Sequence, residues 1–512
     1  QWWLGCSGMG VAPNNSNKVV LANMGSVYNT QNAGTTWEQA YVNHADQNLM
    51  GFPTPKYKPY RGIGIENTTN WYVTWTDQDN IFISLTDIGS VRSTDGGTYW
   101  SFNNFNYNTM YRVVKHPTDG TLYGCTSNIH DMYGSNYLQD SRIDNSGYSD
   151  GELMFSSDTG YSWTTLHDFN RPVYWIAIDP NDPNKMYASV VNHAQGLGGI
   201  YITSDLQNGA SSTWNKLPDP PRTEGHPAVI VPLNDGKVVC TFSARMTEYS
   251  DVPAGKFTTS SGVFIYDPGL NSWADVTQMN TMAWYCNDIT VDPNDPTQST
   301  WYVGVASGWG GDGFGDGSPN DQGGLFKTIN RGQTWAKLAG CFGTFTGGGG
   351  AFSCTFDPSD PNTLYISSTV EGLFVSHDIN VATPAISPVT NFQFGSPLRI
   401  LFNPYNQNEM WVTTFGNGIH VGNLISTAEQ ENDLDNSVLI FPNPAAGECQ
   451  IKFASGSDFK ILTVLDIMGR KIQTSVLRKN QMSLTLNTAE LCEGIYFLKL
   501  DDTLVKKLVV SR

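Results

Sequence analysis

The sequence is short of charge, and shorter still of positive charge. Only 15% of its 512 residues are charged, and 47 acids face 29 bases, for a net charge of −18. Nucleic acid and anionic lipid are poor partners for such a surface; neutral sugars or cations fit it better. The acidity is uneven: residues 427–512 carry 11 acids and 10 bases, the first 426 carry 36 and 19. There is no run of 18 apolar residues, which argues against a spanning helix. No leader precedes Gln1, so a mature, exported form is expected. The eight cysteines (6, 125, 240, 286, 341, 354, 449 and 492) contain no C-x-x-C, and the histidines form neither H-x-H nor H-E-x-x-H. Zinc is therefore not expected. In an exported chain Cys341/Cys354 and Cys449/Cys492 could form disulfides, with free buried thiols as the alternative.

What the chain has in abundance is glycine (51), tryptophan (15) and tyrosine (23), the balance of a turn-rich β protein. One stretch, "RSTDGGTYW" at 92–100, has the look of an active site, but it repeats. The pattern S/T-x-D-x-G-x-x-W is clean at Ser93–Trp100 and Ser156–Trp163, with Asp95 and Asp158 at its centre. Asn32 and Asn330 replace the Asp in Thr30–Trp37 and Thr328–Trp335, and worn copies begin at Thr203, Asp267 and Ser376. Each copy follows an apolar strand, an Asp/Pro/Asn turn and a second strand, as in "IAIDPNDPNKMYASV" at 176–190. Eight such units occur, each reading as four short antiparallel strands, A to D, which is the blade of a β-propeller. The expected fold is all-β: an eight-bladed propeller over residues 1–424, or seven-bladed if the weak units share strands. The last unit lacks a D strand, and "QWWLGC" at the start is expected to supply it and close the ring.

The repeated turn resembles the Asp-box, or BNR repeat, of sialidases, of the xyloglucanases of glycoside hydrolase family 74, and of sortilin-type receptors. The resemblance implies a structural role for Asp95, Asp158, Asn32 and Asn330. Asp would accept backbone N–H bonds, glycine would take a positive φ, and Trp37, Trp100, Trp163 and Trp335 would plug between blades.

The Asp-box turns share one face of such a ring. Long insertions at 41–71, 128–151, 244–262 and 307–323 should crowd the other, where function is expected. Candidate sugar-stacking rings are Tyr60, Trp71, Trp175, Trp284, Tyr285 and Trp309. Glycosidic cleavage needs two carboxylates. Family-74 enzymes carry a T-D-V-G-G-A-Y-R-like motif at a B–C turn, and "TDIGSVRS" at 86–93 resembles it, placing Asp87 as a catalytic candidate. The match sits one unit later than the family pattern, because the first unit has Asn23 there. Asp46, Glu66, Asp131 and Asp288 are candidate partners. The arginine triad and F-R-I-P segment of sialidases have no counterpart. Asp312, Asp316 and Asp321 lie on a glycine-rich loop suited to Ca²⁺; no other cofactor is expected.

After a polar linker at 425–437, residues 438–512 read as a small Ig-like β-sandwich. Its "FPNP", "DIMGR", "LCEGIYFLKL" and terminal "KKLVVSR" occur in the order of the type-A C-terminal sorting domain of the type IX secretion system of Bacteroidota, which this tail resembles. That implies export to the cell surface or beyond, with the secretion machinery as a partner. Extracellular polysaccharide is the expected ligand of the propeller. The reading is of a family-74-like endo-β-glucanase or xyloglucanase; a non-catalytic glycan- or protein-binding propeller and a polysaccharide lyase using His130–Asp131 are the alternatives.

Overall fold

Short strands supply nearly all the regular structure among the described residues, and in most sheets they pair in sequence order. The computed structural model describes residues 6–23, 26–49, 51–63, 68–103, 107–133, 140–145, 149–245, 258–278, 282, 285–306, 323–338, 350–368, 371–424, 438–453, 459–467, 469–479, 481–501 and 504–511. It divides into two compact units, Gln1–Leu424 and Ile425–Arg512.

In the first unit, eight antiparallel sheets follow one another along the chain. Inner strands of seven of them pack in succession: Asn70–Trp75, Thr109–Lys115, Val173–Asp179, Pro227–Pro232, Tyr285–Val291, Ala351–Asp357 and Pro397–Asn403. The last packs back on the first, closing a ring of seven blades, here numbered I to VII. Among the described residues blade VII has three strands. The sheet that precedes blade I (Gly8–Ala12, Asn15–Ala22, Val27–Thr30, Glu38–Gln39) has no comparable packing against another sheet among the described residues. Its Met9, Val11 and Val20 are exposed. The cause is visible in its inner strand, GMGVA, where two glycines leave little to bury. Blade III's VYWIAID buries six of its seven residues. "QWWLG" at 1–5, expected to close the ring, lies outside the described residues.

The Asp-box turns show why the repeat is scaffold. Asp95 Oδ1 accepts the Ser93 hydroxyl (2.8 Å) and the Thr98 and Tyr99 N–H groups (3.1 and 3.0 Å). Asp158, Asn32 and Asn330 repeat this with Ser156/Ser162, Thr30/Thr36 and Thr328/Thr334. Even the worn copies hold it: Asp205 takes the Thr203 hydroxyl and the Thr213 N–H, and Asp378 the Ser376 hydroxyl and the Ala385 N–H. The motif's Trp packs on the preceding blade: Trp163 on Phe82 (5.3 Å between ring centroids), Trp100 on Trp411 (6.1 Å). Trp335 Nε1 donates to Val276 O at 2.7 Å. Trp37, outside the ring, is 38% exposed.

The turn glycines record the same difference. A Cβ on Gly160 would stand 2.9 Å from Phe82, and one on Gly97 3.1 Å from Trp411, whereas on Gly34 it would meet only its own turn's Trp37 at 3.6 Å. All three have positive φ. Gly160→Ala is expected to cost about 2–4 kcal/mol, left-handed strain plus overpacking. Gly34→Ala should leave the global denaturation midpoint unchanged. Equal shifts in urea titrations of the two variants would mean that the first sheet belongs to the ring after all.

In the second unit seven strands form one connected sheet system, and Val438–Ala446 is shared between its two halves. Strand Leu504–Val510 lies between Gly494–Leu500 and Val438–Ala446. Of the two alternatives for Cys449 and Cys492, the structure has free thiols, Cys449 buried in this core and Cys492 exposed. Cys354 is buried, and Cys341 lies outside the described residues. Burial pushes the Cys125 and Cys286 thiols up to about 12, so these are inert packing groups.

Candidate functional site

The B–C turn of blade I, Thr86 to Gly89, joins Ile81–Leu85 to Ser90–Ser93 at the end opposite the Asp-box turn. Because the first sheet stands outside the ring, this turn belongs to the first blade of the ring. Asp87 is exposed and held at φ +67°, a conformation uncommon outside glycine. Its N–H donates to Asn108 Oδ1 and Asn108 Nδ2 donates back to Asp87 Oδ1, each at 3.2 Å. Asn108 sits at the entry to blade II's inner strand, so two consecutive blades fix this carboxylate.

The neighbouring loop brings a second one. Asp131, at φ +55°, follows blade II's second strand, Leu122–Ser127. Thr86, the residue before Asp87, links the two. Its buried hydroxyl accepts the Trp71 indole N–H (2.8 Å) and donates to Asp131 Oδ1 (3.2 Å). His130 Nδ1 lies 2.8 Å from Asp131 Oδ2, with the two side chains 24% and 15% exposed. One exposed carboxylate and one half-buried carboxylate with an imidazole beside it thus occupy adjacent loops. Tyr133, at φ +61°, is a third left-handed non-glycine residue in these loops.

The described residues of the loop from 128 to 151 are tied into the ring. Ile129, Met132, Tyr133 and Ile143 are buried, and Tyr133 Oη donates to Pro227 O of blade IV at 2.8 Å. Asp140 receives Arg245 Nε at 2.9 Å, and Asp144 receives the His193 N–H at 2.8 Å. The hydrogen bond it donates to Asp140 raises Arg245 above its ordinary value. Below this clasp His226 is wholly buried, and burial lowers it to about 4, so it is neutral.

Several expected site residues prove to be interior. Trp71 and Trp175 are 0% and 5% exposed. Trp71 packs edge-on against Tyr111 and Tyr174 (5.0 and 6.3 Å), and Trp175 is covered by the Arg112 guanidinium at 3.8 Å. Neither offers a free face to a sugar; both faces of an inner propeller strand are buried, so an aromatic there is core. Asp288 is also buried and engaged: Arg399 Nε donates to its Oδ2 at 2.9 Å, while Arg399 also reaches Trp71 O and Tyr174 Oη, both at 3.4 Å. Burial pushes the Asp288 carboxyl above the ordinary carboxylate range in spite of Arg399. Burial lowers Arg399, but the Asp288 charge, together with Tyr174 and Tyr72 beside it, outweighs that and raises it above its ordinary value. Arg399 had a sequence signal, a lone arginine inside the apolar strand "PLRILF".

Tyr60 lies apart from Asp87's face. The segment 41–62 runs along the outer edge of blade I, where Tyr60 pairs with Trp100 and takes an N–H from Asn48 at 2.8 Å. With Trp100, Trp411 and Ile88 it lines a cavity of about 700 Å³ at the ring's closing seam. Asp46 is tied to Arg61 at 2.8 Å and anchors that segment. Trp284, Trp309, Glu66, Asp312, Asp316, Asp321 and the Tyr285 side chain lie outside the described residues. Among the described residues no group of three or more His, Cys, Asp or Glu is placed to hold a metal.

Residues 439–511 match the family model of the secretion system C-terminal sorting domain. The tail is a type IX sorting domain. It directs export to the cell surface or the extracellular space. No helix among the described residues is long and apolar enough to cross a membrane. The chain is 26% identical over 148 residues to an oligoxyloglucan-reducing end-specific xyloglucanase of Emericella nidulans, covering 26% of this chain and only 17% of that protein. Its fold is similar to the GH74 xyloglucanase of Xanthomonas campestris (14% identity, TM-score 0.44, 80% of this chain and 57% of that one). It is also similar to YCF48 of Cyanidioschyzon merolae (14%, 0.45, 70% and 96%).

Proposed function

We propose that this exported propeller acts on extracellular polysaccharide, hydrolysing a β-glucan of the xyloglucan type with Asp87 and Asp131 as its two carboxylates. The observation that carries the reading is their placement on adjacent loops of one face, one exposed and one half-buried, coupled through Thr86. Hydrolysis needs one group to protonate the departing glycosidic oxygen and another to activate water or attack the sugar; two carboxylates suffice without a metal. The partial likeness to a xyloglucanase supports the substrate class.

Asp87→Asn keeps the shape, and asparagine tolerates a positive φ. Reducing-sugar release from xyloglucan and mixed-linkage β-glucan is expected to fall about 10²–10⁴-fold, the usual worth of a positioned acid or base. The melting temperature should be unchanged, since the residue is exposed. Release undiminished in both Asp87→Asn and Asp131→Asn sinks the assignment. The second reading is a propeller that binds glycan without cleaving it. Retention of the wild type in polysaccharide gels with no sugar release would establish that one instead.

A further inference from the structure

The opposite face holds a second constellation. Tyr57 and Tyr161 stack with their centroids 4.2 Å apart and planes 15° from parallel, and each is largely open to solvent, at 39% and 48%. They come from different places: Tyr57 from the segment that skirts blade I, Tyr161 from the Asp-box turn of blade II. Tyr57 has φ +62°, which an aromatic residue adopts only when its surroundings impose it. Its N–H donates to Phe102 O at 3.1 Å, on blade I's outer strand. Arg92 Nε donates to Thr159 O at 2.7 Å and binds the blade II turn to blade I. The pair borders a cavity of about 350 Å³ whose other walls include Arg92, Thr94, Asp95 and Tyr99.

These walls are complementary to a sugar. An exposed tyrosine ring is a flat apolar surface for the C–H face of a pyranose. Around it stand a carboxylate, a guanidinium and a hydroxyl, which together donate to and accept from sugar hydroxyls. Asp95 meets its turn through Oδ1, and none of the turn's bonds use Oδ2. The volume lies at the lower end of ligand clefts. Nearby Arg61 covers Tyr99, with its guanidinium 5.2 Å from the ring centroid, which adds rigidity to that wall.

We infer that the Tyr57–Tyr161 cleft on the Asp-box face is a binding site for neutral polysaccharide, separate from the Asp87 face. The ligand class is shared with the proposed function, but no residue is. The site would hold a chain against the propeller while the other face is free to work on it.

The test is affinity electrophoresis of the full-length protein in native gels containing xyloglucan, mixed-linkage β-glucan or galactomannan. Wild type should be retarded in at least one gel. Tyr57→Ala/Tyr161→Ala should raise the apparent Kd at least fivefold there, with the melting temperature held. Tyr161→Ala alone, at a half-exposed side chain, should give a smaller loss and guards against misfolding of the double variant. Asp87→Asn should retain this retardation. Equal retardation of wild type and both tyrosine variants overturns the site, as does a wild type retarded in none of the gels. Retardation lost in Asp87→Asn alone assigns binding to the other face. Tyrosine-dependent retardation without sugar release leaves this site standing and removes the hydrolytic reading.

Discussion

Replacing Arg399 with methionine is expected to destabilise the propeller by about 3–5 kcal/mol, because a buried carboxylate is left without its counter-charge. Asp288 and Arg399 are each almost completely buried, on the inner strands of blades V and VII, with Nε 2.9 Å from Oδ2. The guanidinium also holds Trp71 O and Tyr174 Oη, so the substitution withdraws donors from three acceptors. The loss has a pH signature. Burial already lifts the Asp288 carboxyl above the range it has in the unfolded chain, and without Arg399 it must rise further. The folded variant then binds a proton that the unfolded chain has released. Its stability therefore falls as pH climbs from the ordinary carboxylate range through the raised value, and returns on acidification. Urea titrations of Arg399→Met should show a deficit against wild type that narrows toward pH 4. The double variant Asp288→Asn/Arg399→Met removes both charges and keeps an acceptor for the Ile289 N–H, which donates to Asp288 Oδ1 at 2.8 Å. It should recover more than half of the lost stability. A double variant as unstable as the single, with no pH dependence in either, would show that packing around Arg399 and not its charge is what matters.

The Asp-box was legible in the sequence because its causes are local. Asp95, Ser93, Thr98 and Tyr99 lie within seven residues, and their bonds follow from spacing alone. The ring's membership was not, because it is decided by what lies across the gap. Gly34 and Gly160 occupy the same place in the same turn, yet only Gly160 meets another blade's ring. The motif therefore overcounts the blades, and the surplus unit is the one whose inner strand has too little to bury. This bears on Asp87: the "TDIGS" turn stands one unit late in the sequence but on the first blade of the ring. The aromatic candidates misled for a related reason. Trp71 and Trp175 sit on strands buried on both faces, a property of ring position that no alternation pattern carries. The Asp288–Arg399 pair spans 111 residues, and only the closed ring brings its two strands together. Asp131 was legible as a carboxylate on a long loop, while its coupling to Thr86, 45 residues away, was not.

Deleting the last strand, residues 504–512, is expected to abolish surface display while leaving the propeller folded. The strand is not an edge: Gly494–Leu500 pairs with it on one side along its whole length, and Val438–Ala446 meets it on the other at Ala445. Leu508 and Val510 are buried in the tail's core, and each contributes about 1.5–3 kcal/mol. Asn443 clamps the strand twice, its Nδ2 donating to Lys507 O (2.9 Å) and its Oδ1 accepting the Val509 N–H (2.8 Å). Losing nine residues thus opens two paired edges and the core of a small unit at once, more than such a domain can lose. The sorting domain would then present no folded surface to the export machinery. Surface labelling of cells expressing the truncated chain should fall to background, with the protein retained inside. The purified truncation should keep the wild-type propeller melting transition, because the propeller is a compact unit in itself. Asn443→Ala removes only the clamp, at about 1–3 kcal/mol, and should give partial display. Full display of the truncated chain would mean that the export signal resides in the propeller.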